Sequence, residues 1–393
     1  MPDPLSCSQI GYRPTSGMHV TTDIDEEHWH QMSDPGSYEW WYFDAEDSAS
    51  GISCVVIWFS GFPFSPCYTD RYERWKLNGK SDPPPHPSDY CAFSFQLYQH
   101  DRELVNFIKE GEKDLFISNA SSIGVSFENN SFRYDAATNE YRLDIDFAFP
   151  LRQKQVRASL SFSSCQRINH HHLQTARPAP AQHQWLLSVP KATVTGVIEI
   201  GQPGAEKKRR FSIDGKGYHD HNLGTIPMQE SIARWHWGRA FSDGMDLIFY
   251  VIFFRNNAEQ PFTLLILHDT VKDQVAIHQS LGFSERSTWR GIFSPLHSRK
   301  LEFSNQHCQL SVLHHKVLDS GPFYLRFSSK IKLVIDGEEP RNIIGISEFL
   351  NPVRLQSRFM RFFTRSRIWR NREQSIMYKS YNSFKNCLEW KFG

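Results

Sequence analysis

Apolar and polar positions alternate with a period of two along most of the chain. The segments 54–59, 90–98, 141–149 and 156–162 are short and rich in β-branched and aromatic residues. Most of them place apolar side chains on one face only, the pattern of half-buried antiparallel strands. Residues 247–254, 262–267, 310–313 and 323–327 repeat the style, and Gly, Asn, Asp and Pro clusters at 78–79, 83–87 and 256–257 punctuate it. Long helical periodicity is nearly absent before about residue 350. The pattern predicts an all-β protein.

A weak internal repeat predicts how the strands are grouped. Shifting the chain by 195 positions superimposes Trp40 on Trp235, Tyr42 on Trp237 and Ala45 on Ala240, each set just ahead of an apolar strand. An offset near half the chain length points to two similar units. The expected fold is two tandem antiparallel β-barrels, 30–224 and 225–352. A 1–29 N-terminal extension precedes them and a basic, aromatic 353–393 tail, read as helical, follows. The junction falls between Gly217 and Trp235. Up-and-down barrels close their own edges and can enclose an apolar ligand.

Composition narrows the partners. Among 393 residues, 44 Lys plus Arg balance 43 Asp plus Glu, which argues against a nucleic-acid partner. Aromatic residues make up 14 % of the chain, a surplus that suits an apolar cavity. The mean hydropathy of −0.51 and the lack of any apolar run of membrane-spanning length exclude a transmembrane helix. Neither a secretory signal nor a Cys-x-x-Cys pair is visible, and the seven scattered cysteines read as reduced thiols of a cytoplasmic protein. From Arg341 onward, eight Arg and three Lys stand against three Glu. Within 354–370 the arginines interleave with Phe359, Met360, Phe362, Phe363, Ile368 and Trp369. That mixture fits either peripheral membrane contact or a helix packed on the barrels with a solvated basic face.

The densest chemistry lies in residues 215–224, where Tyr218, His219, Asp220, His221 and Asn222 are consecutive. On an extended strand Tyr218, Asp220 and Asn222 face one way, while His219 and His221 face the other. Either an acid–phenol pair or a histidine pair therefore points into a barrel, or the run simply satisfies buried backbone. The His-x-His spacing, even with His170, His171 and His172, lacks a second set of ligands, so no metal and no cofactor are expected. No nucleophile elbow, dinucleotide fingerprint or Walker loop is present.

Three motifs in this order, residues 39–45 (Glu-Trp-Trp-Tyr-Phe-Asp-Ala), 217–222 (Gly-Tyr-His-Asp-His-Asn) and 235–239 (Trp-His-Trp-Gly-Arg), resemble the carotenoid 1,2-hydratase (hydroxyneurosporene synthase) family. That family sits in a superfamily of tandem lipocalin-like proteins that also holds isoflavonoid hydratases and natural-product cyclases, Diels–Alderases among them. The resemblance spans roughly 30–352 and ends in a closing strand near 345–350. It implies two lipocalin-like barrels and acid-catalysed addition of water to a terminal C=C of an acyclic carotenoid or related isoprenoid. Asp220 and Tyr218 would be catalytic, with His219 and His221 beside them, and Trp235, Trp237, Trp41 and Asn222 would contact substrate. An Asp at its reference pKa of ~3.9 is ionised at neutral pH, so the chemistry needs a site that keeps Asp220 protonated. The family also carries an upstream His–Trp pair, and the stretch 185–194 gives no counterpart. A cofactor-free cyclase and a non-catalytic lipid or pigment carrier are the rival readings.

Overall fold

The computed structural model describes residues 17–118, 122–165, 182–204, 207–257, 259–289, 294–370 and 376–383. Two curled, mainly antiparallel sheets of thirteen and nine strands form the molecule. In each, the opening strand pairs with the closing one: Tyr38–Asp47 with Lys208–Gly224, and Ile232–Phe241 with Arg341–Leu350. The intervening strands run as a meander, and the ladder is open after the fourth strand of both sheets. The result is two lipocalin-like half-barrels of matching topology.

Strands at the seam between the sheets lose the simple alternation because both of their faces are covered. All ten residues of Met245–Phe254 are buried. Met245, Leu247, Phe249, Val251 and Phe253 fill the second half-barrel, whereas Ile248, Tyr250, Ile252 and Phe254 join a core between the two sheets. Tyr38–Asp47 behaves alike: Trp41, Phe43 and Ala45 enter the first half-barrel, and Tyr38, Trp40 and Tyr42 enter the shared core. The aromatic surplus is spent on three apolar layers rather than two.

The 195-residue repeat is visible as contacts across that shared core. Trp40 stacks on Trp235 at 6.1 Å, and Tyr42 meets Trp237 edge-on at 5.6 Å. Asp44 and Arg239, 195 positions apart, form a buried bidentate ion pair with Nε at 2.8 and 3.1 Å from the carboxylate oxygens. Arg326 and Glu348 of the second sheet pair beside it, and Tyr42 donates to both Asp44 and Glu348. Equivalent residues of the two repeats thus lie face to face and bolt the sheets together.

Three expectations need revision. A helix, Pro66–Leu77, interrupts the early strands; Ser65 caps it and accepts from the Tyr68 N–H, with Pro66 in its first turn. The tail is not one helix. Pro352–Gln356 is a 3-10 turn, Arg358–Thr364 a short helix and Ile368–Arg370 a strand parallel to Arg102–Gly111, with a further helix at 376–383. Its arginines cause this, because Arg361 and Arg365 bind Asp70 and Glu73 and pull the segment onto the Pro66–Leu77 helix. Within the 1–29 segment, Met18–Thr21 pairs in parallel with residues 183–186 and so belongs to the first sheet. His170, His171, His172, Cys7 and Cys387 lie outside the described residues.

Asp44→Ala or Arg239→Ala removes the main partner of a buried charge, leaving Arg239 only Glu46 or Asp44 only the longer contact to Arg326, and should lower unfolding free energy by up to about 3–5 kcal/mol. Replacing both, by Asp44→Leu with Arg239→Met, should recover much of that loss. Urea unfolding of the three variants measures it.

Candidate active site

The Lys208–Gly224 strand runs close against Tyr38–Asp47, and glycine makes this approach feasible. A Cβ at Gly217 would collide with Val194, Phe162 and the Asp44 carbonyl. The residues that follow alternate faces as a strand requires. Tyr218, Asp220 and Asn222 point into the core between the sheets, whereas His219 and His221 point into the first half-barrel.

The two histidines are therefore not beside Asp220. His219 Nε2 lies 2.8 Å from Glu27, and its ring stacks on Phe43 at 3.7 Å. His221 Nε2 lies 2.9 Å from Glu39 Oε1, and its ring stacks on Trp41 at 4.5 Å. Trp41, expected to contact substrate, is likewise buried in the first half-barrel, and its strand neighbour Trp40 takes the opposite face. Burial pushes the Glu39 carboxyl up, but hydrogen bonds from His221 and His30 outweigh it and hold the group below its ordinary range. His30, Glu39 and His221 bring ligand atoms within 4.8 Å of one another, the one group among the described residues with metal-ligand geometry. Glu39 already bonds both imidazoles, so the trio is satisfied as a hydrogen-bonded bridge that ties the His30 segment to the sheet.

Asp220 has three donors. Tyr218 Oη lies 2.7 Å and Trp185 Nε1 2.8 Å from Oδ2, and Asn222 Nδ2 lies 2.8 Å from Oδ1. Two opposed effects act on it. Burial disfavours the carboxylate strongly, the Tyr218 and Trp185 hydrogen bonds favour it, and burial wins, pushing the group up to about 7. Burial and the neighbouring Asp220 charge push the Tyr218 phenol well above its ordinary value.

Trp185 and its neighbour His183 are the residues that sequence reasoning missed. The stretch compared with the family's His–Trp pair began at Trp185, two positions past the histidine of His183-Gln184-Trp185. A register shift around Val189 and Pro190 in the His183–Gly201 strand brings Trp185 opposite Asn222 and within reach of Asp220. His183 bridges two phenols, Tyr38 Oη at 3.1 Å from Nδ1 and Tyr250 Oη at 3.1 Å from Nε2. Burial lowers its pKa to about 3, so the ring is neutral, with one nitrogen donating and the other accepting.

An apolar cleft, partly open to solvent, lies against this core with a cavity volume of about 110 Å³. That is below the ~300–1,000 Å³ typical of ligand sites, so a ligand of ordinary size needs the lining rings to move aside. Phe59, Phe62, Phe64, Phe323, Trp40 and Trp235 line it, together with Tyr42, Tyr324 and Glu348. Asp220 and Tyr218 do not line the cleft; they lie one ring behind it. Trp40 and Trp235 each sit about 6 Å from His183, at 5.8 and 6.0 Å between centroids, and Tyr42 is 6.1 Å from Tyr218. Trp237, 5.0 Å from Tyr218, closes the same side. Of the residues expected at the site, Tyr218, Asp220, Asn222, Trp235 and Trp237 come together, and His219, His221 and Trp41 do not.

A carotenoid hydratase family model, CrtC, matches residues 56–377. The chain belongs to the carotenoid hydratase family. Membership makes it an enzyme of the hydro-lyase class and implies an apolar isoprenoid substrate. A Chlorobaculum tepidum protein named hydroxyneurosporene dehydrogenase is 49 % identical over 374 residues, covering 95 % of this chain and 97 % of that one. The acyclic carotenoid 1,2-hydratase of Rubrivivax gelatinosus is 24 % identical over 225 residues, 55 % of this chain and 48 % of its own length. Among solved structures, CghA with Sch210972 has the same fold, with a TM-score of 0.54 at 13 % identity over 81 % of this chain and 89 % of that one. Within this hydratase family fold, no helix among the described residues is long and apolar enough to cross a membrane.

Asp220 also leaves a signature on stability. A carboxyl whose pKa is higher folded than unfolded carries an extra proton in the folded state between the two values. Unfolding free energy should therefore fall as pH rises from ~4 towards about 7, by more than in Asp220→Asn. Urea titrations across that window compare the two slopes.

Proposed function

We propose that this enzyme adds water to a terminal C=C of an acyclic carotenoid or related isoprenoid, with Asp220 as the acid. The observation that carries the reading is a buried carboxyl, bonded by Tyr218, Trp185 and Asn222 and set in an aromatic core where burial favours its neutral form. The neutral Asp220 breaks its O–H bond and delivers the proton to the inner, less substituted carbon of the terminal C=C, where the π electrons form the new C–H bond and leave the positive charge on the outer, dimethyl-substituted carbon. The tertiary cation left behind meets the π faces of Trp235, Trp237 and Trp40, each worth ~0.5–2 kcal/mol. Water then forms the C–O bond, and its surplus proton passes to the Asp220 carboxylate, which restores the acid. No net proton is consumed.

The three donors suit both halves of this cycle. Tyr218, Trp185 and Asn222 stabilise the carboxylate that exists while the cation does, yet not enough to keep it ionised at rest. His183, neutral and with both ring nitrogens engaged, fixes the Tyr38 and Tyr250 hydroxyls beside the acid. Because Trp40, Tyr42 and Trp235 separate the cleft from Asp220, the substrate terminus reaches the acid by displacing one of these rings. An apolar isoprenoid of this kind dissolves in bilayers rather than in water, so the protein meets it by peripheral contact with a membrane.

The name of the Chlorobaculum tepidum relative favours a second reading, removal of hydrogen from a hydroxylated carotenoid. Product mass separates the alternatives. Incubated with neurosporene in detergent, the enzyme should yield a product heavier by one water, and Asp220→Asn should lower turnover at least ~1,000-fold while retaining the fold. The rate should also fall as pH rises through about 7. A product lighter by two hydrogens, or of unchanged mass, would replace hydration by oxidation or cyclisation. Full activity in Asp220→Asn would remove the acid.

A further inference from the structure

The tail helix Arg358–Thr364 and the end of the Pro66–Leu77 helix expose three large apolar side chains together: Leu77 at 79 %, Phe359 at 59 % and Phe362 at 49 %. Leu77 and Phe362 share one shallow depression with Arg74, Arg358 and Arg365. The acids beneath it, Asp70 and Glu73, are occupied by Arg361 and Arg365. Arg74 and Arg358 are exposed and have no ion-pair partner among the described residues. The patch is thus greasy at its tip and cationic at its rim.

Its position ties it to the cleft. Thr364, the last residue of the tail helix, lines the cleft wall, as do Arg367 and Ile368 just beyond it. At 1.5 Å per residue, the helix sets Phe359 and Phe362 within ~10 Å of that wall. Buried ion pairs and the parallel strand at Ile368–Arg370 hold the segment rigidly in place.

We propose that Leu77, Phe359 and Phe362, flanked by Arg74 and Arg358, dock the enzyme on an anionic lipid bilayer and hold the mouth of the cleft against it. The proposal rests on the isoprenoid reading above. Three projecting apolar side chains make too small an area for a stable protein partner. They do match the depth of a headgroup layer, where guanidinium groups meet lipid phosphates while their stems lie along the acyl chains. A membrane-dissolved substrate would then enter the cleft without crossing water.

The test is co-sedimentation of the full chain with vesicles of phosphatidylcholine alone or mixed with phosphatidylglycerol, beside turnover of neurosporene in vesicles and in detergent. The parent should bind the anionic vesicles, and Phe359→Ser with Phe362→Ser should weaken binding ~10-fold or more. Arg74→Ser with Arg358→Ser should abolish the preference for anionic lipid. Leu77→Ser, on a separate helix, guards against misfolding of the tail. In detergent the variants should turn over like the parent, and in vesicles more slowly. Equal vesicle binding by parent and Phe variant, or none by the parent, overturns the docking surface even where hydration is observed. Vesicle binding that depends on these residues, with no conversion of neurosporene in either medium, supports the surface and removes the reaction instead.

Discussion

The structure turns on one contest: burial of the Asp220 carboxyl against three donors aimed at it. Burial alone would lock the group as an acid too weak to lose its proton, and three donors in water would lock it as a carboxylate. Placed between two sheets, with Tyr218, Trp185 and Asn222 around it, the group is pushed up to about 7 and can hold or release a proton with little bias. Such balance is what an addition reaction asks of one residue that must act as acid and then as base.

The balance exists because the fold has three apolar layers. Each half-barrel has its own core, and the third core lies where their opening strands face each other. The contacts there join equivalent positions of the repeat: Trp40 with Trp235, Tyr42 with Trp237 and Asp44 with Arg239. A single half-barrel of this kind would leave Tyr218 and Asp220 on an outer face in water. The second half-barrel supplies the desolvation, and the pairing of Asp44 with Arg239 and Arg326 with Glu348 keeps the charges in that layer compensated.

Much of this was legible in the sequence. Period-two alternation identified the strands, the 195-residue shift identified the two units, and alternation at 218–222 separated the acid–phenol pair from the histidines. What was not legible was which face looks inward. Both faces of Tyr38–Asp47 and of residues 217–224 are buried, so period-two reasoning has no polar side to orient it there, and Trp40 and Trp41 look interchangeable until coordinates assign them. Trp185 escaped because its approach to Asp220 depends on a bulge near Pro190 that shifts register. The tail's shape was hidden for another reason: its arginines find partners in Asp70, Glu73 and Asp319, hundreds of positions or dozens away, and no local pattern announces such pairings.

The claim that Asp220 rests near neutrality can be observed without substrate. Carbon-13 NMR of aspartate carboxyl groups, followed across pH in the parent and in Asp220→Asn, isolates its resonance. That signal should have a midpoint near 7 and be missing from the variant. A midpoint at the ordinary value of ~3.9 would contradict it.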